Sequence, residues 1–428
     1  MLNAIPRYGV RVVPGTEKIV AECRQRGELA QGPHVEAFEH TFARIAGGER
    51  AIATSYGRMA FYNILKALRL PEGSEVVLPA LTFWVIPELA RVAGLRPVFA
   101  DIDPHTFTLD PEAVERVVTP RTAAIVPTHL YGLPCDMDPL LDIARRHGLA
   151  VVEDCAHALG ATYRGRPVGT FGEAALFSFQ TLKPLNTYGG GAALVNDPAL
   201  ADRVAELVAK DPWPEANDVE RRLRFGRLQR LFIRPGVFTF SAFPILWAAS
   251  WVDWNPDVFL WEEIRELEPL PAAYRQRYSN VQAAIGLEAL EHLEGWTAET
   301  RAHARIVDLA LGGLPAVEAP AEPPGRRHVY YQYCAYVPDR DSLVCKAIRH
   351  GVDLETLHVD LCTAMALFPG PHAPTPGAER ATATVQMPVY ASLTNAEVER
   401  VALNVRRALG HAPTPDGLPV SSPRRRPS

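Results

Sequence analysis

The chain has 428 residues, 47% of them hydrophobic and 22% charged, a balance that buries a sizeable core and suits two or three domains. Its formal net charge of -5 excludes the overall basic field that nucleic-acid binding needs. The six cysteines (23, 135, 155, 334, 345, 362) show no CxxC spacing, so no zinc site or disulfide framework is expected; the N-terminus lacks a signal peptide's apolar core, and the expected location is cytoplasmic.

From about residue 50 to 200, short apolar runs alternate with helical stretches. "RMAFYNILKALRL" (58–70) has apolar residues at three- and four-residue steps and predicts a helix. "EVVLP" (75–79) predicts a strand, "VIPELARVAGL" (85–95) a helix closed by Gly94, and "RPVFADI" (96–102) a strand. "DPEAVERVVT" (110–119) predicts a helix capped by Asp110, followed by a strand in "TAAIVPTH" (122–129). "MDPLLDIARRHG" (137–148) reads as a helix; "LAVVEDC" (149–155) and "AALFSF" (174–179) read as strands. Such alternation implies crossover connections and a mostly parallel sheet, whose ligands gather at the carboxyl ends of the strands. Asp154 ends one strand, Ser178 and Lys183 lie at or past the end of another, and His129 follows a third. His129 fits a structural role better than a catalytic one.

Beyond about residue 300 the texture changes. "AHARIVDLALGGL" (302–314) predicts a helix, "HVYYQYCAYVP" (328–338) alternates like a strand, and "RDSLVCKAIRHG" (340–351) predicts a helix ending at Gly351. "NAEVERVALNVRRALG" (395–410) is an amphipathic helix with Asn395 as its expected N-cap. The expected organisation is a large domain over 1–300, a smaller α+β domain over 301–411, and a disordered Pro-, Ser- and Arg-rich tail over 412–428.

One lysine stands out. In "FSFQTLKPLNTYGGG" (177–191), Lys183 sits between an apolar strand and three glycines. A buried carboxylate at a strand end, Asp154, can hold a proton on a heterocyclic nitrogen. A desolvated lysine amine can form an imine with an aldehyde and then carry protons. Pyridoxal 5'-phosphate uses both groups. Its phosphate calls for backbone N–H groups at a helix N-terminus, and "TSYGRMAF" (54–61) offers Gly57, which lets a phosphate approach the backbone closely. No metal is implied.

With these residues in place the chain resembles the DegT/DnrJ/EryC1/StrS family of pyridoxal-phosphate sugar aminotransferases. The markers are "QGPHVEAFE" (31–39), "TSYGRMAF" (54–61), "LPALTFW" (78–84), the long ordered run from 96 to 138, "VVEDCAHALGATYRGRPVGTFGEAALFSFQTLK" (151–183) and "YSNVQAAIGL" (278–287). The resemblance implies the aspartate-aminotransferase-like type I fold and a homodimer with the cofactor pocket at the subunit seam. By position, Lys183 matches the Schiff-base lysine and Asp154 the partner of the ring nitrogen. His157 matches the position flanking the ring and its 3-oxygen, and Phe83 the aromatic stacked on the ring. Ser178 matches the serine that contacts the phosphate, beside the Gly57 and Arg58 amides. Four positions depart from the pattern. Arg58 replaces the usual Thr or Ser, Pro184 the usual Asn, and Gly189 the acid of a "GEGG" turn. Arg275 stands where the partner subunit often supplies Asn to the phosphate. A cationic Arg58 or Arg275 binds phosphate as well or better.

The implied reaction is ping-pong transfer of an amino group from an amino acid, glutamate by resemblance, to a nucleotide-linked 3- or 4-keto sugar. Alternatives are a cyclitol or lipid-linked ketone at a membrane surface, and a non-catalytic, pyridoxal-phosphate-binding regulatory protein of the same fold. A dehydratase branch carries histidine in place of the lysine, and Lys183 argues against it.

Residues 205–270 fit the resemblance poorly. Six arginines (221, 222, 224, 227, 230, 234) precede an 18-residue uncharged, aromatic-rich stretch from Pro235 to Val252. As a straight helix it would reach roughly 27 Å, marginal against a hydrocarbon core of about 30 Å, and Pro244 interrupts it. A transmembrane span is therefore rejected. Two readings stay open for 219–262: a peripheral contact with an anionic membrane, or packing over the active site or across the dimer seam.

Overall fold

The computed structural model describes residues 3–251 and 263–411. The tail expectation for 412–428, and the part of the insert over 252–262, lie outside the described residues.

The core of the fold is a seven-stranded sheet: β1 (Arg50–Thr54), β2 (Glu75–Pro79), β3 (Arg96–Ala100), β4 (Thr122–Ile125), β5 (Ala150–Asp154), β6 (Ala174–Ser178) and β7 (Gly191–Val195). Their spatial order is β1-β7-β6-β5-β4-β2-β3. The pairs β3–β2, β2–β4, β4–β5 and β5–β6 are parallel. β7 alone runs against its neighbours β6 and β1. Six strand ends therefore point one way, as the alternating pattern predicts. The sequence reading missed β1 and β7, because "AIAT" and "GAALV" are too small and too uniformly apolar to show a period of two.

Helix α1 (Gly57–Leu68) buries Met59, Ala60, Phe61, Ile64 and Leu65 against this sheet. On the sheet's other side, Phe38, Phe42, Phe177 and Phe179 interlock edge-to-face at centroid separations of 5.1–5.5 Å between Phe42 and Phe177, Phe42 and Phe179, and Phe38 and Phe179. Each such pair contributes roughly 0.5–1.5 kcal/mol beyond area burial. This aromatic cluster includes Phe177 of β6 and Phe179, so it lies directly behind the end of that strand.

The insert contains helix α2 (Ala216–Phe232) and two short helices, Pro235–Phe240 and Phe243–Ala249. Among the described residues no helix is long and apolar enough to cross a membrane.

Helix α3 spans Asn280–Leu311, 32 residues. Its first half packs Val281, Ile285 and Leu290 into the aromatic core, and its second half packs Ala304, Val307 and Leu311 into a separate core with Tyr333, Val385 and Val401. The expected division at 300 therefore falls inside one helix. The second core is α+β: the antiparallel pair Tyr333–Tyr336 and Thr384–Met387, helix Arg340–Arg349, and α4 (Asn395–Ala408). It also takes Ile5 from the chain's start, while Cys362 and Phe368 return to the large core. The cap of α4 corrects the sequence reading. Thr394, not Asn395, is the N-cap; its hydroxyl accepts from the Glu397 amide while Glu397 accepts from the Thr394 amide at 2.8 Å.

Candidate active site

Asp154 ends β5 beside Leu176 of β6, and Ser178 ends β6 beside Gly191 of β7, which pairs in turn with Thr54 at the end of β1. Three chain segments meet there with almost no side-chain volume between them. A Cβ on Gly191 would lie 2.3 Å from the Gly57 nitrogen, and one on Gly57 would lie 2.8 Å from the Phe177 carbonyl oxygen and 2.9 Å from the Ser178 Cβ. Real Cβ atoms do not approach so closely, so glycine at both positions lets the first turn of α1 sit on the sheet rim. Tyr56, the N-cap of α1, offers no side-chain cap, and the turn's N–H groups face the rim without one.

Above this rim lies a cavity of about 280 Å³ lined by Gly57, Arg58, Phe83, Asp154, His157, Ser178 and Lys183. Seven of the eight residues singled out from sequence thus share one cavity. The eighth, Arg275, does not line it; its exposed guanidinium pairs with Asp211 at 3.3 Å.

Lys183 closes a tight turn after β6, its amide donating to the Gln180 carbonyl at 2.9 Å. Its Nζ lies 2.7 Å from His157 Nε2 and 4.8 Å from the centre of the Tyr331 ring. Burial lowers the amine to about 7, the Asp154 carboxylate opposing and the Arg58 charge adding to the shift. Burial also holds His157 well below the usual imidazole range, and the Lys183 and His358 charges act in the same sense. His157 Nδ1 accepts the Tyr131 amide at 3.3 Å. Nε2 therefore carries the ring proton and donates to Nζ, which must be neutral to accept. The geometry and the lowered pKa agree.

Burial raises Asp154, against the Ala156 amide at 3.0 Å and the Lys183 and His129 charges. Arg58 is set among aromatic rings, its Cζ 5.3 Å from the centre of Phe83 and 5.0 Å from that of Tyr274, whose hydroxyl accepts from it.

His129 also lines the cavity, and both of its ring nitrogens are engaged by buried partners. Its Nδ1 accepts the Cys135 amide at 2.9 Å and its Nε2 donates to Glu153 at 3.0 Å. Glu153 also accepts from the amides of Gly169, Phe171 and Gly172. His129, Glu153 and Cys155 offer ligand atoms within 4.8 Å of one another, but the carboxylate is already saturated by these donors.

The sequence reading missed Tyr331 and His358. The Tyr331 ring stacks on His157 at 4.2 Å and its hydroxyl lies 2.9 Å from His358 Nε2; His358 Nδ1 in turn lies 3.1 Å from Glu355. In sequence Tyr331 is one of several tyrosines in an alternating strand pattern, and nothing marks it as lining a cavity with Lys183, 148 residues earlier in the chain.

One antiparallel strand in an otherwise parallel sheet, with a lysine past a strand end facing a buried aspartate, defines a type I α/β transferase. The model of the DegT/DnrJ/EryC1/StrS aminotransferase family matches residues 15–218 and 254–406. The chain belongs to this family and is an aminotransferase. It is 31% identical over 421 residues to GDP-perosamine synthase of Caulobacter vibrioides, covering 94% of this chain and 98% of that protein. It is 31% identical over 357 residues to a pleiotropic regulatory protein of Geobacillus stearothermophilus, covering 82% of each. Among solved structures it resembles DesI in the presence of its TDP-sugar product, with 27% identity, a TM-score of 0.74, and coverage of 96% of this chain and 94% of that one.

Proposed function

We propose that the protein is a pyridoxal-phosphate-dependent sugar aminotransferase that moves an amino group from glutamate to a nucleotide-linked keto sugar. The observation that carries this reading is the buried Lys183 amine, 2.7 Å from His157 and lowered to about 7, lining the same cavity as buried Asp154. The cavity's residues fit the cofactor: an amine for an aldehyde, a carboxylate for a ring nitrogen, an aromatic for a ring face, and a glycine-floored, uncapped helix start for a phosphate. When bound, the cofactor supplies an electron sink next to the carbon that exchanges amine for ketone.

The chain's own residues do the rest. Lys183 would hold the aldehyde carbon, and its amine, once freed, would be the base that moves the proton at the donor's α-carbon. With the amine lowered to about 7, roughly half of it is free base at pH 7, so the basic form is at hand without a strong base. Asp154 would hold a proton on the ring nitrogen and so favour the electron-accepting form of the ring. His157, whose Nε2 lies beside Lys183 Nζ, would offer its N–H to the cofactor ring's edge once Lys183 is engaged. Phe83 would cover a ring face, and Ser178 with the Gly57 and Arg58 amides would hold the phosphate. Arg275, outside its own cavity, serves the partner's phosphate in a homodimer. The keto sugar then takes the amine by the reverse sequence.

The names of GDP-perosamine synthase and of DesI with its TDP-sugar product support a nucleotide-linked acceptor. The regulatory relative supports keeping a non-catalytic reading in the test. That test is the absorbance spectrum of the purified protein before and after excess glutamate, beside Lys183→Ala. Conversion to the pyridoxamine form by the native protein and not by the variant is expected. A bound cofactor indifferent to glutamate would sink the donor assignment, and no bound cofactor would sink the reading of Lys183.

A further inference from the structure

The match to the family model breaks between residues 218 and 254, and the same stretch concentrates the molecule's exposed apolar surface. Of the eleven exposed large hydrophobic side chains among the described residues, eight lie between 225 and 251. On α2, Phe225, Leu228, Leu231 and Phe232 point outward, with Phe225 69% exposed. Steps of three, four and seven residues put them on one face with Arg221 and Arg224. The opposite face, through Val219, Leu223 and Gly226, packs onto the protein. Beyond α2, Phe240, Ile245, Trp247 and Trp251 are exposed by 44–75%.

This surface is held in place. Phe238, Thr239, Ala249 and Ser250 are buried beneath it. The Thr239 hydroxyl accepts the Ala4 amide at 2.7 Å, and the Arg349 guanidinium sits 4.2 Å from the Trp251 ring centre and donates to the Ser250 carbonyl. It is an ordered platform whose outer side has no protein against it among the described residues.

Its charge identifies the occupant. From Arg221 to Trp251 there are six arginines and no acidic residue. Arg221 pairs with Asp218 and Arg227 with Glu17, but Arg224, Arg230 and Arg234 make no ion pair among the described residues. A second copy of the chain, meeting this face about a two-fold axis, would bring arginines against arginines. An anionic lipid headgroup layer accepts the arginines while its acyl boundary takes Trp, Phe and Leu. We infer that residues 221–251 dock the enzyme on the surface of an anionic bilayer, lying in the interface rather than crossing it. The inward side of α2 reaches the catalytic cavity through Gln229, so docking would set the cavity rim beside the lipid. The inference stands apart from the chemistry assigned to that cavity.

The test is co-sedimentation of the full-length protein with vesicles of phosphatidylcholine alone and of phosphatidylcholine with phosphatidylglycerol. Sedimentation with the anionic vesicles only, reversed by high salt, is expected. Replacing Arg224 and Arg234 together by Gln should lower partitioning roughly 30-fold, from the usual gain per basic residue near an anionic surface. Phe240→Ser with Trp247→Ser should lower it by at least about tenfold through lost apolar burial. Both variants should keep the native melting temperature and the native spectral response to glutamate. Equal recovery in the supernatant with both vesicle types overturns the inference, as does equal binding to both. So does a lipid-free oligomer that these substitutions dissociate, since the face would then belong to a second copy. If a variant fails to fold, the native comparison of the two vesicle types decides by itself.

Discussion

Treating the cofactor-free protein with trace acetic anhydride across pH 6–11, and following each modified lysine by mass spectrometry, measures the protonation of Lys183 directly. The chain has four other lysines, Lys18, Lys66, Lys210 and Lys346, all exposed, which serve as internal standards. With the Lys183 amine lowered to about 7 by burial, about 90% of it is free base at pH 8, against ~0.4% for an unperturbed lysine. That is roughly a 200-fold advantage in reactive form. A less basic amine is also a weaker nucleophile, so the inflection near pH 7 is the diagnostic and the amplitude is secondary. Asp154→Asn should move the inflection lower still, because that carboxylate is the neighbour that favours the ammonium. The unfolded chain keeps this proton to higher pH than the folded one. Stability of the cofactor-free protein should therefore rise from about pH 7 to the ordinary lysine range. Below pH 7 the buried ammonium costs on the order of 4 kcal/mol. A labelling inflection in the ordinary lysine range, or an upward move in Asp154→Asn, would refute the reasoning.

Gly57→Val should weaken pyridoxal-phosphate binding, followed by fluorescence titration, by at least about tenfold, since its Cβ would press on the Phe177 carbonyl at 2.8 Å and overpacking at such a site costs roughly 1–3 kcal/mol. Glu153→Gln should destabilise the fold in urea by about 3 kcal/mol or more, because its new NH2 group faces donors already converging from His129, Gly169, Phe171 and Gly172; an unchanged midpoint would mean that the buried carboxylate does not organise this loop. Thr394→Ala should lower stability by about 1 kcal/mol through loss of the capping box, with transaminase turnover unchanged.

The sequence by itself determined the parallel layer and most of the residues that share the cavity. Strand and helix patterns from 75 to 179 are local, and apolar periodicity reports them faithfully. Asp154, Ser178 and Lys183 were legible because a strand end is a position in sequence as well as in space. The resemblance then assigned them roles. Thr394 escaped notice because Asn395 is an equally good capping residue by type, and only backbone direction separates them. β1 and β7 escaped because fully buried strands lose the alternation that marks half-buried ones. Only the tertiary structure brought Tyr331 and His358 into the cavity of Lys183, because contacts between segments so far apart in the chain leave no periodic trace. It also decided that α2 turns Gly226 inward and Phe225 outward. Composition told of arginines beside aromatics, but which side chains the core absorbs and which it leaves in water is settled by the packing of the whole chain.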